Sequence, residues 1–166
     1  VAWGDNAVVF GETARRTMRK ARADFLELIE RSDVTIYGVN TGYGHHARKR
    51  LDGEGRKLHA RQPTYHRAVS FGDPLPRRVT RAIVFARLAN FIEGHAAISP
   101  SVAEAVAAML DGSELPEVPA RGQGGAGEIL SLAPLFIGVA KPETLAEKDM
   151  ISHLNGSPAA TALVSD

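Results

Sequence analysis

A mainly α-helical fold with long glycine-rich connections is what this sequence predicts, and three observations carry the prediction. Apolar residues recur at spacings of three and four in several stretches. Proline and serine stand where helices begin, at Pro76 and at Ser99-Pro100. Glycine and small polar residues gather into a few irregular segments instead of spreading evenly.

Taken in order, Val8–Phe10 reads as a short strand or a packed arm. Met18, Ala21, Phe25 and Ile29 then give Gly11–Glu30 an amphipathic helix. Val34–Ile36 is apolar, and Tyr37–Gly44 (YGVNTGYG) must be irregular, with three glycines, an Asn and a Thr. His45–Gly55 reads as a mobile polar loop, and Arg56–Ser70 as a helix interrupted near Pro63. From Pro76 as first helical residue, Val79, Ile83, Ala86, Asn90 and Phe91 trace one face to about Ala97. Ser99-Pro100 opens another helix through Val102, Val106, Met109 and Leu110, which Gly112 ends. Two prolines in Ser113–Pro119 lead to a glycine loop. Ser131–Val139 is apolar, with Pro134 expected in a first helical turn. Lys141–Leu154 is a weaker amphipathic segment, and Pro158–Val164 suits a helix start that has little chain left to follow. The expectation is five or six helices and little strand.

Composition narrows the function classes. Lys plus Arg number 20 against 19 for Asp plus Glu, so no net field argues for nucleic acid or a membrane surface. The Arg-rich stretches Arg15–Arg22 and Arg77–Arg87 read as solvated helix faces. Cysteine is absent, which removes disulfides, thiolate nucleophiles and Cys-based metal sites and fits a cytoplasmic setting. No apolar run is long enough to span a bilayer, and no basic start followed by an apolar core marks a signal peptide.

The stretch Pro119–Leu135 (PARGQGGAGEILSLAPL) is where candidate chemistry concentrates. Four glycines fall within Gly122–Gly127, a backbone entropy cost tolerated where a chain turns sharply or offers N–H groups to a ligand. Gly125 and Gly127 are candidates for such contacts. No Gly-Lys-Ser/Thr follows, so this is not a nucleotide loop. Glu128 is either a capping carboxylate or an acid/base. Tyr37 is either a packed anchor or a base, since a tyrosine whose ordinary pKa is about 10 needs cationic neighbours to lose its proton. Asn40, Thr41 and Tyr43 can add hydrogen bonds, and Asn155 is a turn former or an amide presented to substrate. Arg61, Arg67 and Arg87 are candidates for a carboxylate fork. The six histidines show no tight ligand spacing, so no metal site is expected.

YGVNTGYG closely resembles the YGVNTGFG inner-loop signature of the histidine and aromatic amino acid ammonia-lyases. The likeness continues in FGDPLPRRV (Phe71–Val79), ARLAN (Ala86–Asn90), PEVPARGQGGAG (Pro116–Gly127), LAPL (Leu132–Leu135) and LNGS (Leu154–Ser157). The resemblance implies a helical fold of the fumarase/aspartase-like kind, a homotetramer, and active sites shared between subunits. The family's subunits are much longer. Residues 1–166 are therefore expected to be an N-terminal ammonia-lyase-like domain, completed by long helices from a companion chain or a missing C-terminal part.

The resemblance also implies an electrophile, methylideneimidazolone, made from an internal Ala-Ser-Gly. Here one alignment places Ala126-Gly127-Glu128 at that triad and another places Glu128-Ile129-Leu130. Neither supplies the serine whose dehydration leaves the methylidene carbon. Tyr37 matches the family's inner-loop base and Asn155 its asparagine. Arg67 falls where the family has a histidine, with His66 one position early. The expectation is a lyase-like enzyme without this group and without other cofactors, acting on a small amino-acid-like substrate. Tyr37, Glu128 and Asn155 would be catalytic, and Asn40, Arg67, His66, Gly125 and Gly127 would bind substrate. A noncatalytic assembly subunit and a true aromatic or histidine ammonia-lyase are the alternatives.

Overall fold

The computed structural model describes residues 1–31, 33–62, 67–112, 115–122, 128–139 and 141–164. Among them the chain forms seven α-helices and one two-stranded ribbon: α1 (Glu12–Glu30), α2 (Gly53–Ala60), β1 (Phe71–Pro74), α3 (Arg77–Ile92), α4 (Pro100–Ala108), β2 (Pro119–Arg121), α5 (Ile129–Phe136), α6 (Asp149–Leu154) and α7 (Pro158–Val164). The mainly α expectation holds, with more and shorter helices than the periodicity suggested.

Helix α3 is the centre of the packing and touches α1, α4 and α7. Its Val79, Ile83, Val84, Leu88 and Phe91 join Val102 and Val106 of α4, Leu132 and Leu135 of α5, and Ala159 and Ala162 of α7 in one core. Truncating a side chain such as Leu88 to alanine here costs about 2–5 kcal/mol, the transfer term plus the cavity left behind. A smaller cluster of Phe25, Ile29, Val39 and Ala97 ties the end of α1 to the Tyr37–Gly44 loop.

Several local expectations are corrected. The buried face of α3 runs through Arg81 and Arg87, while Ala86 is half-buried and Asn90 exposed. The arginines expected on solvated faces include three buried ones, Arg22, Arg81 and Arg87. Arg81 explains itself: its Nε donates to Val1 O at 3.0 Å and its Nη2 to Asn6 O at 3.0 Å and Leu110 O at 3.4 Å. That bond set pins the N-terminal segment as an arm, with Phe10 buried and no strand at residues 8–10. The polar loop ends earlier than expected, because Asp52 caps α2 by accepting from Gly55 N at 2.7 Å. Pro134 lies inside α5 and not in its first turn. The ribbon pairs Phe71 with Arg121 and Pro74 with Pro119, and β2 leads straight into the glycine-rich segment.

Candidate active site

The Tyr37–Gly44 loop is built from its own polar groups. Asn40 Oδ1 accepts from Ile36 N at 2.8 Å and Asn40 Nδ2 donates to Val34 O at 2.7 Å. Thr41 Oγ1 accepts from Gly38 N at 3.2 Å. Gly38 has φ 69°, and a Cβ there would collide with the Tyr43 ring and Ile151. Asn40, expected to bind substrate, is thus buried as the clamp of its own loop.

The clamp leaves Tyr37 half exposed, at 51 %. Its hydroxyl oxygen accepts from Gly44 N at 3.0 Å, so the hydroxyl's own proton is not used in that bond. Tyr37 lines a cleft of about 380 Å³ whose walls also include Asn155, Arg87, Asn90, Lys148 and Ser152. Asn155 arrives at the end of α6, where its N–H closes the helix on Ile151 O at 2.9 Å and its extended backbone turns the chain away. Two residues far apart in sequence therefore share one wall-lined space.

Cations gather around this cleft. Lys148 adopts φ 74°, a left-handed conformation unusual for a side chain of this size, and its Nζ donates to His95 O at 3.0 Å. Burial lowers the pKa of its ammonium, and Arg22 adds to that. Arg87 is 3 % exposed, and burial lowers its pKa to about 10, against a raising influence from Glu128. Sequence periodicity gave no signal for Lys148, and it put Asn90 on the packed face of its helix. A second groove, of about 700 Å³, runs between α3, α7 and the N-terminal arm and shares Arg87 and Asn90 with the cleft. Of the candidate residues named from the sequence, Arg87 lines it, while Tyr37 and Asn155 do not.

Glu128 takes the capping role, though for a helix other than the one it precedes. Its two side-chain oxygens accept from Ala159 N at 2.5 Å and Ala160 N at 2.6 Å, at the start of α7. Arg67 lies outside the cleft lining, with Cζ 4.5 Å from the centre of the Tyr43 ring. Tyr43 in turn packs on His59 at 4.4 Å and edge-on to Tyr37 at 6.0 Å. Burial raises the Tyr43 phenol while Arg67 works against the rise, and burial followed by Arg67 lowers His59. His66, Gly125 and Gly127 lie outside the described residues.

Residues 1–140 match the family described as aromatic amino acid lyase. This chain belongs to that family. Its relatives among the aromatic amino acid lyases include the histidine ammonia-lyase of Deinococcus radiodurans, 32 % identical over 133 residues, covering 80 % of this chain and 25 % of the relative. The histidine ammonia-lyase of Geobacillus thermodenitrificans is 30 % identical over 170 residues, covering 88 % of this chain and 34 % of the relative. Among solved structures, the tyrosine aminomutase of Streptomyces globisporus superposes with a TM-score of 0.85 at 24 % identity over 99 % of this chain and 35 % of its own. The ergothionase of Treponema denticola gives 0.85 at 22 % identity over 98 % and 38 %. These two likenesses establish the fold. The chain spans about a quarter to a third of the length of the ammonia-lyases it matches.

Membership of the aromatic amino acid lyases raises the question of the methylideneimidazolone electrophile, and the described residues do not fit it. Glu128-Ile129-Leu130 contains no serine. Ser131, the nearest serine, is buried in α5 with its Oγ donating to Glu128 O at 3.0 Å. The next nitrogen, of Leu132, donates to the same carbonyl at 2.9 Å. A nitrogen held in a helical hydrogen bond is not placed to attack a carbonyl two residues back. Ala126 and Gly127 lie outside the described residues.

Proposed function

We propose that this chain supplies the N-terminal part of a lyase active site that works by acid–base chemistry on a small amino-acid-like substrate, without methylideneimidazolone. The observation that carries the reading is the presence of Tyr37 and Asn155 on one cleft in a member of the aromatic amino acid lyase family. Tyr37, acting as a phenolate after giving its own proton to solvent, takes a proton from a substrate carbon. The freed electron pair forms a double bond as the leaving group departs with its own pair. Asn155 hydrogen-bonds the substrate and orients it. His66, Arg67 and the backbone of Gly125 and Gly127 are further substrate contacts in this proposal. Glu128 fixes the start of α7.

Residues 1–166 in this reading are completed by long helices from a companion chain or from a C-terminal part, in a tetramer-like assembly. Neighbouring structures more than twice this chain's length support that, since the chain covers 35 % of the tyrosine aminomutase. Among the described residues no helix is long and apolar enough to cross a membrane. A second reading, a noncatalytic assembly subunit, is favoured by the apolar groove beside α7, where Trp3 is 78 % exposed.

Two measurements test the proposal. The intact mass of the purified assembly reveals any companion chain and any loss of two waters; a dehydrated chain means a true ammonia-lyase electrophile and overturns the cofactor-free reading. Tyr37→Phe lowers turnover of an accepted substrate by about 10²–10⁴-fold, the usual worth of a general base. Unchanged turnover in a folded Tyr37→Phe protein removes Tyr37 from the mechanism, and no turnover of any amino-acid-like compound by the wild type favours the assembly reading.

A further inference from the structure

An elimination needs a base for the carbon's proton, and often an acid for the group that leaves. Tyr37 answers for the first. A departing atom that is not a stable anion must receive a proton as its bond breaks. Glu128 has both side-chain oxygens on the amides of α7. Among the described residues no aspartate or glutamate lines the cleft. Ser152 Oγ donates to Ala96 O at 2.8 Å, and the buried guanidinium of Arg87 keeps its proton at neutral pH.

Lys148 remains, with His95 beside it. Its ammonium has three hydrogens, of which one goes to His95 O at 3.0 Å. Among the described residues no carboxylate pairs with it. The Phe25 ring stands 5.1 Å from Nζ. Burial, and then the Arg22 cation, lower the pKa of this ammonium, which makes it a readier proton donor near neutral pH. The backbone beneath it is costly: φ 74° and ψ −19° are left-handed, a shape lysine rarely adopts. Both flanks are clamped, since Arg22 holds Glu147 O at 2.7 Å and Asp149 accepts from Ala146 N at 2.9 Å. Glycine or asparagine would take this turn with less strain. A lysine stands there instead, on the walls that Tyr37 and Asn155 share. An outlier so placed points to a use.

We infer that Lys148 is a catalytic residue of this cleft, the acid that protonates the departing group, and that this group enters uncharged. The inference deepens the proposed function and rests on its reading of Tyr37 as the base. The Tyr37 phenolate takes the proton from carbon, and the C–H pair becomes the double bond. The bond to the leaving atom breaks with its pair on that atom. An Nζ–H proton moves onto that pair, while the N–H electrons stay on nitrogen. Tyr37 ends as a phenol and Lys148 as a neutral amine; solvent takes the phenol's proton and returns one to the amine. An alkylammonium gains nothing from this acid, because it already carries its proton, and it would meet Lys148 with no carboxylate on the walls.

Three compounds that share a carbon skeleton and yield cinnamate test this with the purified assembly: 2-hydroxy-3-phenylpropanoate, 2-chloro-3-phenylpropanoate and phenylalanine. Chloride departs as a stable anion and needs no acid. The wild type is expected to convert the hydroxy acid faster than phenylalanine, read by ultraviolet absorbance. Lys148→Asn suits the left-handed turn and has no proton to give. It is expected to slow the hydroxy acid by at least about 10²-fold and the chloro acid by no more than about threefold. Lys148→Arg, which keeps the cation but not the readily lost proton, is expected to show the same imbalance. His95→Ala keeps the carbonyl that holds Nζ and is expected to leave the ratio of the two rates unchanged. A lysine that only holds the fold would slow both compounds alike, so equal losses, with turnover still dependent on Tyr37, overturn this inference alone. Full activity in Lys148→Arg overturns it too, as does the imbalance appearing in His95→Ala or faster conversion of phenylalanine than of the hydroxy acid. Conversion of none of the three overturns the reading of the cleft and this inference with it. If Lys148→Asn does not fold, by far-ultraviolet circular dichroism, Lys148→Gly takes its place.

Discussion

Arg22 and Asp149 face each other at 3.8 Å inside the fold, and each ties down a different set of backbone groups beside the cleft. Arg22 Nη1 donates to Ala97 O at 3.1 Å and Glu147 O at 2.7 Å. Asp149 accepts from Ser99 N, Ser99 Oγ and Ala146 N at 2.8, 2.7 and 2.9 Å. Ala97 and Lys148, the non-glycine residues with positive φ among the described residues, lie next to or within these grips. Strained backbone of this kind persists only where surroundings over-determine it. Asp149→Ala is therefore expected to lower unfolding stability by about 3–5 kcal/mol, the usual result of leaving one buried partner unpaired, read from the urea midpoint.

Gly156→Ala tests the seat of Arg87. Alanine at φ 113° is strained wherever it stands, and its Cβ would press on the guanidinium. The expected loss is about 1–3 kcal/mol, measured by thermal unfolding.

His153 makes stability depend on pH. It is buried between Phe91 and Phe136, its Nε2 has no partner, and burial followed by Arg87 lowers its pKa from 6.5 to about 3. The folded state thus binds this proton less readily than the unfolded chain. Stability is fully present above pH 6.5 and falls as pH drops from there toward about 3. The slope is about 1.4 kcal/mol per pH unit for one proton. Urea midpoints at pH 7 and pH 5 for wild type and His153→Phe check it. The variant is expected to lose this share of the pH dependence, and an unchanged slope would show that other groups carry it.

Glu128→Gln keeps one acceptor oxygen for α7 and replaces the other with an NH₂ group. The expected cost is about 1 kcal/mol, the usual worth of a cap. It should appear locally, as faster amide hydrogen exchange at Ala159 and Ala160 than in the wild type.

What was legible in the sequence was what is local. Met18, Phe25 and Ile29 reveal the packed face of α1 through spacing alone, and Ser99-Pro100 marks the start of α4. The buried arginines were not legible, because Arg81 finds its acceptors at Val1, Asn6 and Leu110, none of them helical neighbours. The ribbon was missed for a related reason: beyond Phe71, FGDP and PAR carry no strand-forming side chains, and they pair because the chain brings them together. Glu128 was read against the helix that follows it, whereas its acceptors serve a helix formed by later residues. At the site, the meeting of Tyr37 with Asn155 came from likeness to a family and not from periodicity. Lys148 could not have been found, since nothing about a lysine before Asp149 announces a left-handed turn.

The grip of Arg22 reaches from the middle of α1 to the carbonyls of Ala97 and Glu147, so one guanidinium joins a helix outside the cleft to the chain beside two of its walls, Ala96 and Lys148. Moving α1 away would therefore release both carbonyls at once, each one residue from a wall of the cleft.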